Sequence, residues 1–138
     1  MLYRDAPLNS IWEGSGNVAA LDVLRAIGAQ RDGLDAFIAE CELAAGADAR
    51  LDSHLTGVRE RLAALPGAGD GAELEFGARR LVEELAVALE GSLLVRHAPA
   101  PVADAFCASR CAREGGRVYG TLPAGIDAGA ILERALPA

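Results

Sequence analysis

Apolar side chains recur along this chain at steps of three and four residues and nowhere alternate strictly with polar ones, so the pattern predicts helices and no strands. Val18, Leu21, Leu24 and Ile27 mark the first helix, with Asn17 as its cap and Gly28 as its stop. A second is predicted from Leu34 to Ala45, closing near Gly46. Leu51, Leu55, Val58, Leu62 and Leu65 then step by four, three, four and three, the spacing of a seam that faces a partner helix. Asp48 is its predicted cap and Pro66-Gly67 its end.

The glycine-rich stretch from Pro66 to Gly71 reads as a flexible turn. Beyond it a long helix is predicted from Ala72 to His97, with Leu81, Leu85, Leu89 and Leu93 on one stripe. A short turn between two leucine-striped helices favours an antiparallel hairpin in which each stripe buries the other. Ala98-Pro99-Ala100-Pro101 interrupts the pattern, and a further helix runs to about Glu114, stopped by Gly115-Gly116. After a loop from Gly120 to Gly125, a final short helix is expected from about Asp127 to Leu136. The predicted fold class is therefore all-α: one helical-bundle domain over 1–138 with about five to six helices. Residues 1–30 carry a motif and the first helix, 48–97 the hairpin, and 99–138 the C-terminal helices.

Composition changes this picture little. A chain of 138 residues with 51% apolar content suits one domain with a sizeable core. The formal charge is −7, and all 13 basic residues are arginine. Cys41, Cys107 and Cys111 cannot all pair with one another, which points to a reduced, cytoplasmic setting. The start of the chain has no secretory pattern. The most apolar stretch, Leu85 to Val95, is interrupted by Glu90 and is too short to span a bilayer, so no membrane role is expected. His54 and His97 lie far apart without a matching Asp or Cys cluster, so no metal is expected. Cys107 and Cys111, four residues apart on a helix, read as small buried hydrophobes.

The most informative stretch is Pro7 to Arg25, PLNSIWEGSGNVAALDVLR. Here the carboxylate of Glu13 is followed at once by Gly14-Ser15-Gly16-Asn17, which opens a helix. Two glycines bring bare backbone close to Glu13, and the free amides of a starting helix point at whatever sits there. A solvated first-turn Glu and ordinary Ser or Asn capping are the bland readings of the same residues. For Trp12, the bland reading is simple packing.

The whole string, with Tyr3-Arg4-Asp5-Ala6 before it and Leu21-Asp22-Val23-Leu24-Arg25 after it, resembles the C-terminal segment of flavin-dependent acyl-CoA dehydrogenases. The form Trp12-Glu13-Gly14-Ser15-Gly16-Asn17 is most similar to the alkylation-response, AidB-like branch. A softer similarity to that branch lies in His97 to Gly116. The resemblance implies that Glu13 is the base that removes the α-proton of an acyl-CoA thioester while a hydride leaves the β-carbon for the flavin. A carboxylate suits that task because burial beside an apolar acyl chain raises its pKa toward the working range. The same resemblance implies that the Glu13 backbone amide helps hold the thioester carbonyl and that Gly14 allows close approach. It also implies that Gly14, Ser15, Gly16 and Asn17 border FAD, while Trp12 lines the acyl pocket or stacks near the flavin. Ser15 stands where most dehydrogenases have Thr, which keeps the hydroxyl.

The family builds its flavin site from an N-terminal helical domain, a middle β-domain and a C-terminal bundle, of which only the last is represented here. The chain is therefore expected to be a fragment, inactive alone, whose partners are the flavin-binding domains of a parent protein and further copies in a homo-oligomer. Two other classes of function stay open. One is a purely structural helical module that self-associates through its apolar seams. The other is a DNA-binding domain, which the AidB-like branch suggests. Net charge argues against it, since only Arg96, Arg110, Arg113 and Arg117 form a modest basic stretch.

Overall fold

A computed structural model describes residues 16–65, 71–113 and 120–136. Among these the protein is all-helical: α1 (Gly16–Ala29), α2 (Arg31–Glu42), α3 (Ala49–Ala64), α4 (Gly71–His97), α5 (Ala100–Phe106), a π-helical turn (Cys107–Cys111) and α6 (Ala128–Ala135). Of the turn expected at Pro66 to Gly71, residues 66–70 lie outside the described residues and Gly71 already opens α4.

The long helix α4 is the element around which the others pack. Against it α3 runs antiparallel. Leu51 meets Gly91, His54 meets the Glu84 carbonyl, and Arg61 meets the Glu84 carboxylate, so partners fall in number as α3 advances. The α3 seam behaves as its spacing predicts: Leu51, Leu55 and Val58 are buried and Leu62 and Leu65 pack partly against the same core. Each fully buried Leu or Val stabilises by about 1.5–3 kcal/mol. Asp48 caps α3 as expected, accepting from the backbone N–H of Arg50 at 2.8 Å and of Leu51 at 3.3 Å.

The stripe on α4 differs from the leucine-only stripe. Ala78, Leu81, Leu85, Ala88 and Ser92 are buried at steps of three and four, whereas Leu89 is only partly covered and Leu93 is 39% exposed. Four-residue steps drift by about 40° each on a helix of 3.6 residues per turn, so the fourth leucine has rotated off the core face.

Two other helix ends move as well. Gly28 does not stop the first helix, which continues to Ala29; the break comes at Gln30, whose backbone (φ −132°, ψ 77°) leaves the helical region. Asn17 is inside the first turn of α1 rather than before it. α1 and α2 then run in series and in the same direction along α4, from Asn17 beside Arg79 to Glu40 beside Arg96. The far end of α2 is fixed to α4 by two donors to one of its carbonyls, Ser92 Oγ to Glu40 O at 3.3 Å and Arg96 to the same oxygen at 3.4 Å. Arg96 also reaches the Glu40 carboxylate at 2.7 Å, a cation at a helix C-terminus where the dipole favours it.

At the end of α4, Pro99 (φ −59°, ψ 142°) turns the chain and α5 starts with Pro101 in its first turn. α5 passes directly into the π-turn, closed by Ala112 N–H to Cys107 O at 2.9 Å. That turn buries Cys107, Ala108 and Cys111 in the core with Cys41. Asp127 caps α6, accepting from Ala130 N–H at 3.0 Å. No helix among the described residues is long and apolar enough to cross a membrane.

Candidate functional site

Of the motif residues, Trp12, Glu13, Gly14 and Ser15 lie outside the described residues, and Gly16 and Asn17 open α1. Both are exposed. The central helix sends a cation to them: Arg79 Nη1 donates to Asn17 Oδ1 at 3.3 Å. A Cβ on Gly16 would stand 3.3 Å from Arg79 Nη2, so the bare backbone lets the guanidinium come close. A guanidinium beside the first turn of a helix adds to the positive end of its dipole. This edge is therefore rich in donors and positively polarised. Nothing in the sequence ties Arg79 to residue 17, because the two stand 62 positions apart and are brought together only by tertiary packing.

A second polar centre lies further along α4, at Glu84. The Glu84 side chain is only 6% exposed and accepts from three arginines: Arg61 Nε at 2.5 Å, Arg80 Nε at 3.2 Å and Arg113 Nη2 at 3.2 Å. Burial opposes ionisation of this carboxyl most strongly, but the hydrogen bonds from Arg80, Arg61 and Arg113 together with the Arg61 charge outweigh it and hold Glu84 below the usual carboxylate range. His54 Nε2 donates to the Glu84 carbonyl at 2.9 Å, which ties the ring to the same turn of α4.

Arg113 reaches Glu84 from a backbone with φ 59°, among the described residues the one non-glycine in the left-handed region. Of the arginines in the C-terminal basic stretch, Arg96 pairs with Glu40 and Arg113 with Glu84, while Arg117 lies outside the described residues.

The three thiols are free and buried. Burial pushes all three above the ordinary thiol range, with Glu40 adding to the effect at Cys41 and Asp48 at Cys107. Cys111, shielded and beside Cys107, is pushed up to about 12. They act as core atoms, and no nucleophile arises from them. Among the described residues, no group of three or more His, Cys, Asp or Glu side chains is placed to hold a metal ion.

The chain is 34% identical over 106 residues to AidB of Escherichia coli strain K12, an acyl-CoA dehydrogenase-like protein. The match takes in 77% of this chain and 18% of that protein, so the chain spans under one fifth of the relative's length. No protein-family profile matches it, and no solved structure does.

Proposed function

We infer that this chain is part of an acyl-CoA dehydrogenase-like flavoprotein, and specifically the C-terminal helical portion of an AidB-like member. The observation that carries this is the likeness to AidB over 77% of the chain, joined to the sequence string Trp12-Glu13-Gly14-Ser15-Gly16-Asn17. The all-helical bundle agrees with it.

The described end of the motif suits a flavin edge. The Asn17 amide, the Arg79 guanidinium and the first-turn N–H groups of α1 are donors fitted to the ring oxygens and nitrogens of an isoalloxazine. Gly16 carries no side chain to block the approach. When bound, FAD supplies the acceptor for the hydride that leaves the β-carbon of an acyl thioester. In this reading Glu13 takes the α-proton onto its carboxylate. The Glu13 N–H donates to the thioester carbonyl, whose polarisation acidifies that proton. Gly14 keeps the backbone accessible, Ser15, Gly16 and Asn17 border the cofactor, and Trp12 walls the acyl pocket. Most flavin contacts belong to domains beyond this chain, so it has little or no activity alone and works inside a homo-oligomer of the parent in the cytoplasm.

The test is a hybrid in which this chain replaces the matching segment of Escherichia coli AidB. The hybrid retains yellow flavin through gel filtration, whereas the isolated chain mixed with FAD does not. With Glu13→Gln the hybrid keeps its flavin but loses any bleaching by an acyl-CoA. A folded hybrid that cannot hold flavin, or one in which Glu13→Gln bleaches as before, contradicts this assignment.

A second reading, a self-associating helical module, is favoured by apolar side chains left in water: Leu122 is 54% exposed, Leu132 65% and Leu136 72% around α6. Sedimentation separates it from the first, since a strictly monomeric chain at high concentration removes it.

A further inference from the structure

Gly16 has no conformational need to be glycine. It stands in the first turn of α1 and is not among the glycines with positive φ. What its missing side chain admits is the end of Arg79. A Cβ at position 16 would lie 3.3 Å from Nη2, 3.5 Å from Cζ and 3.8 Å from Nη1, so the guanidinium rests against bare backbone. From there Nη1 donates to Asn17 Oδ1 at 3.3 Å. Two adjoining residues of the motif thus meet one side chain sent out from α4.

The chemistry of the Arg79–Asn17 pair is one-sided. A guanidinium has five N–H donors and no acceptor, whereas a primary amide has an acceptor oxygen at one end and two N–H donors at the other. Facing Arg79, Asn17 must turn its oxygen to the arginine, and its nitrogen is left for something else. An exposed amide without such a neighbour turns over about its last torsion and offers either end. Both side chains are exposed, so water replaces the bond with little loss of stability when it is removed. The bond governs orientation far more than folding.

On the reading that Gly16 and Asn17 border FAD, we propose that Arg79 is a positioning residue for that border. It fixes the Asn17 amide with its oxygen on the guanidinium and both N–H donors free for the cofactor, and residue 16 is glycine to seat the guanidinium. An oxidised isoalloxazine carries carbonyl oxygens and unprotonated ring nitrogens along its polar edge, against one ring N–H, so a donor is the end of the amide it takes best. Arg79 lies well outside the motif string, and its part is to hold a motif residue ready, which spares the amide a loss of rotamer freedom on binding.

Two measurements test this, the first without cofactor. In the full chain, side-chain nitrogen relaxation shows the Asn17 amide held and the exposed Gln30 amide mobile, and Arg79→Met makes Asn17 as mobile as Gln30 while the chain melts with the parent. The second uses the hybrid with Escherichia coli AidB. There Arg79→Met weakens FAD binding about tenfold, and Arg79→Lys, also a donor without an acceptor, restores most of it. Once Asn17→Ala is in place, Arg79→Met causes no further loss. An Asn17 amide as mobile as Gln30 in the parent chain overturns the proposal, and so does unchanged FAD affinity in Arg79→Met. An equal loss in the Asn17→Ala background also overturns it, since the arginine then acts on the flavin without Asn17. A hybrid that holds no flavin although the amide is held removes the reading of the site and the role of Arg79 with it, whereas a mobile amide in a flavin-binding hybrid removes the role of Arg79 alone.

Discussion

Leu51 and Gly91 mark the closest approach of α3 to α4: a Cβ built on Gly91 would stand 2.9 Å from Leu51 Cδ1. Leu51 is fully buried, and Cys111 Sγ and Phe106 Cε1 lie at 3.4 and 3.6 Å from the same point, so the leucine has nowhere to retreat. The glycine is therefore required by packing and not by backbone conformation.

Gly91→Ala accordingly destabilises the protein. Overpacking costs about 1–3 kcal/mol against about 1 kcal/mol gained in helix propensity. Gly77→Ala, in the same helix but with nothing within 4 Å of its Cβ position, gains that propensity without the clash. Urea unfolding of the two variants thus shifts in opposite directions. Equal shifts would show that α3 and α4 are not in contact at residue 91.

The contrast also explains what could be read from the sequence. The α3 seam was legible because its steps of four, three, four and three track one face of a helix. Reading Leu81, Leu85, Leu89 and Leu93 as the α4 stripe followed the large residues and missed that Ala78, Ala88, Gly91 and Ser92 face the core, where small side chains let three neighbours close in. Gly28 sits in a helix because its φ is not positive, so its presence alone did not end α1. The Glu84 centre was not legible at all. Its arginines come from α3, α4 and the second residue after the π-turn, and the approach of Arg113 depends on a backbone angle that arginine rarely adopts. At the motif, tertiary packing adds Arg79 to Asn17, while Trp12 to Ser15 fall outside the described residues.

The thiols should be silent in the folded protein. Cys41, Cys107 and Cys111 are buried with raised pKa, so their thiolate fraction at neutral pH is lowered and a reagent cannot reach them. A disulfide reagent of the Ellman type then reports no rapid reaction in buffer and three equivalents in denaturant. A thiol that reacts at once without denaturant would contradict the burial.

Acid should weaken the fold through Glu84 and Asp48. Both carboxyls are held below their ordinary values of 4.5 and 3.8, so the folded state binds fewer protons than the unfolded chain. The stabilisation is fully present above those values and is lost as pH falls through the folded-state pKa of each group. The urea midpoint therefore stays level from neutral pH to about 5 and declines below about 4.5. Glu84→Gln removes one of the two titrations and shallows that decline. At neutral pH it costs about 1–3 kcal/mol, toward the lower end because the three arginines are exposed enough for water to receive them. An unchanged acid slope in the variant would place the sensitivity elsewhere.

Asp48 does two jobs that substitution can separate. Its Oδ1 accepts from the backbone of Arg50 and Leu51 as the α3 cap, and its carboxylate pairs with the Arg50 guanidinium at 2.6 Å. Hydrogen bonding from Arg50 is the largest influence on its pKa and holds it down in spite of burial. Asp48→Asn keeps an acceptor for the cap and loses the charge, whereas Asp48→Ala loses both. The alanine variant should cost about 2 kcal/mol and the asparagine variant about half of that. Arg50 has a second partner in Asp104 on α5 at 2.8 Å, but that carboxylate is half exposed, and the pair is worth about 0–1 kcal/mol. A double-mutant cycle on Arg50 and Asp104 should therefore return a small coupling, and one on Arg50 and Asp48 a larger one. If the order is reversed, the tie between α3 and α5, and not the cap, holds this end of the bundle.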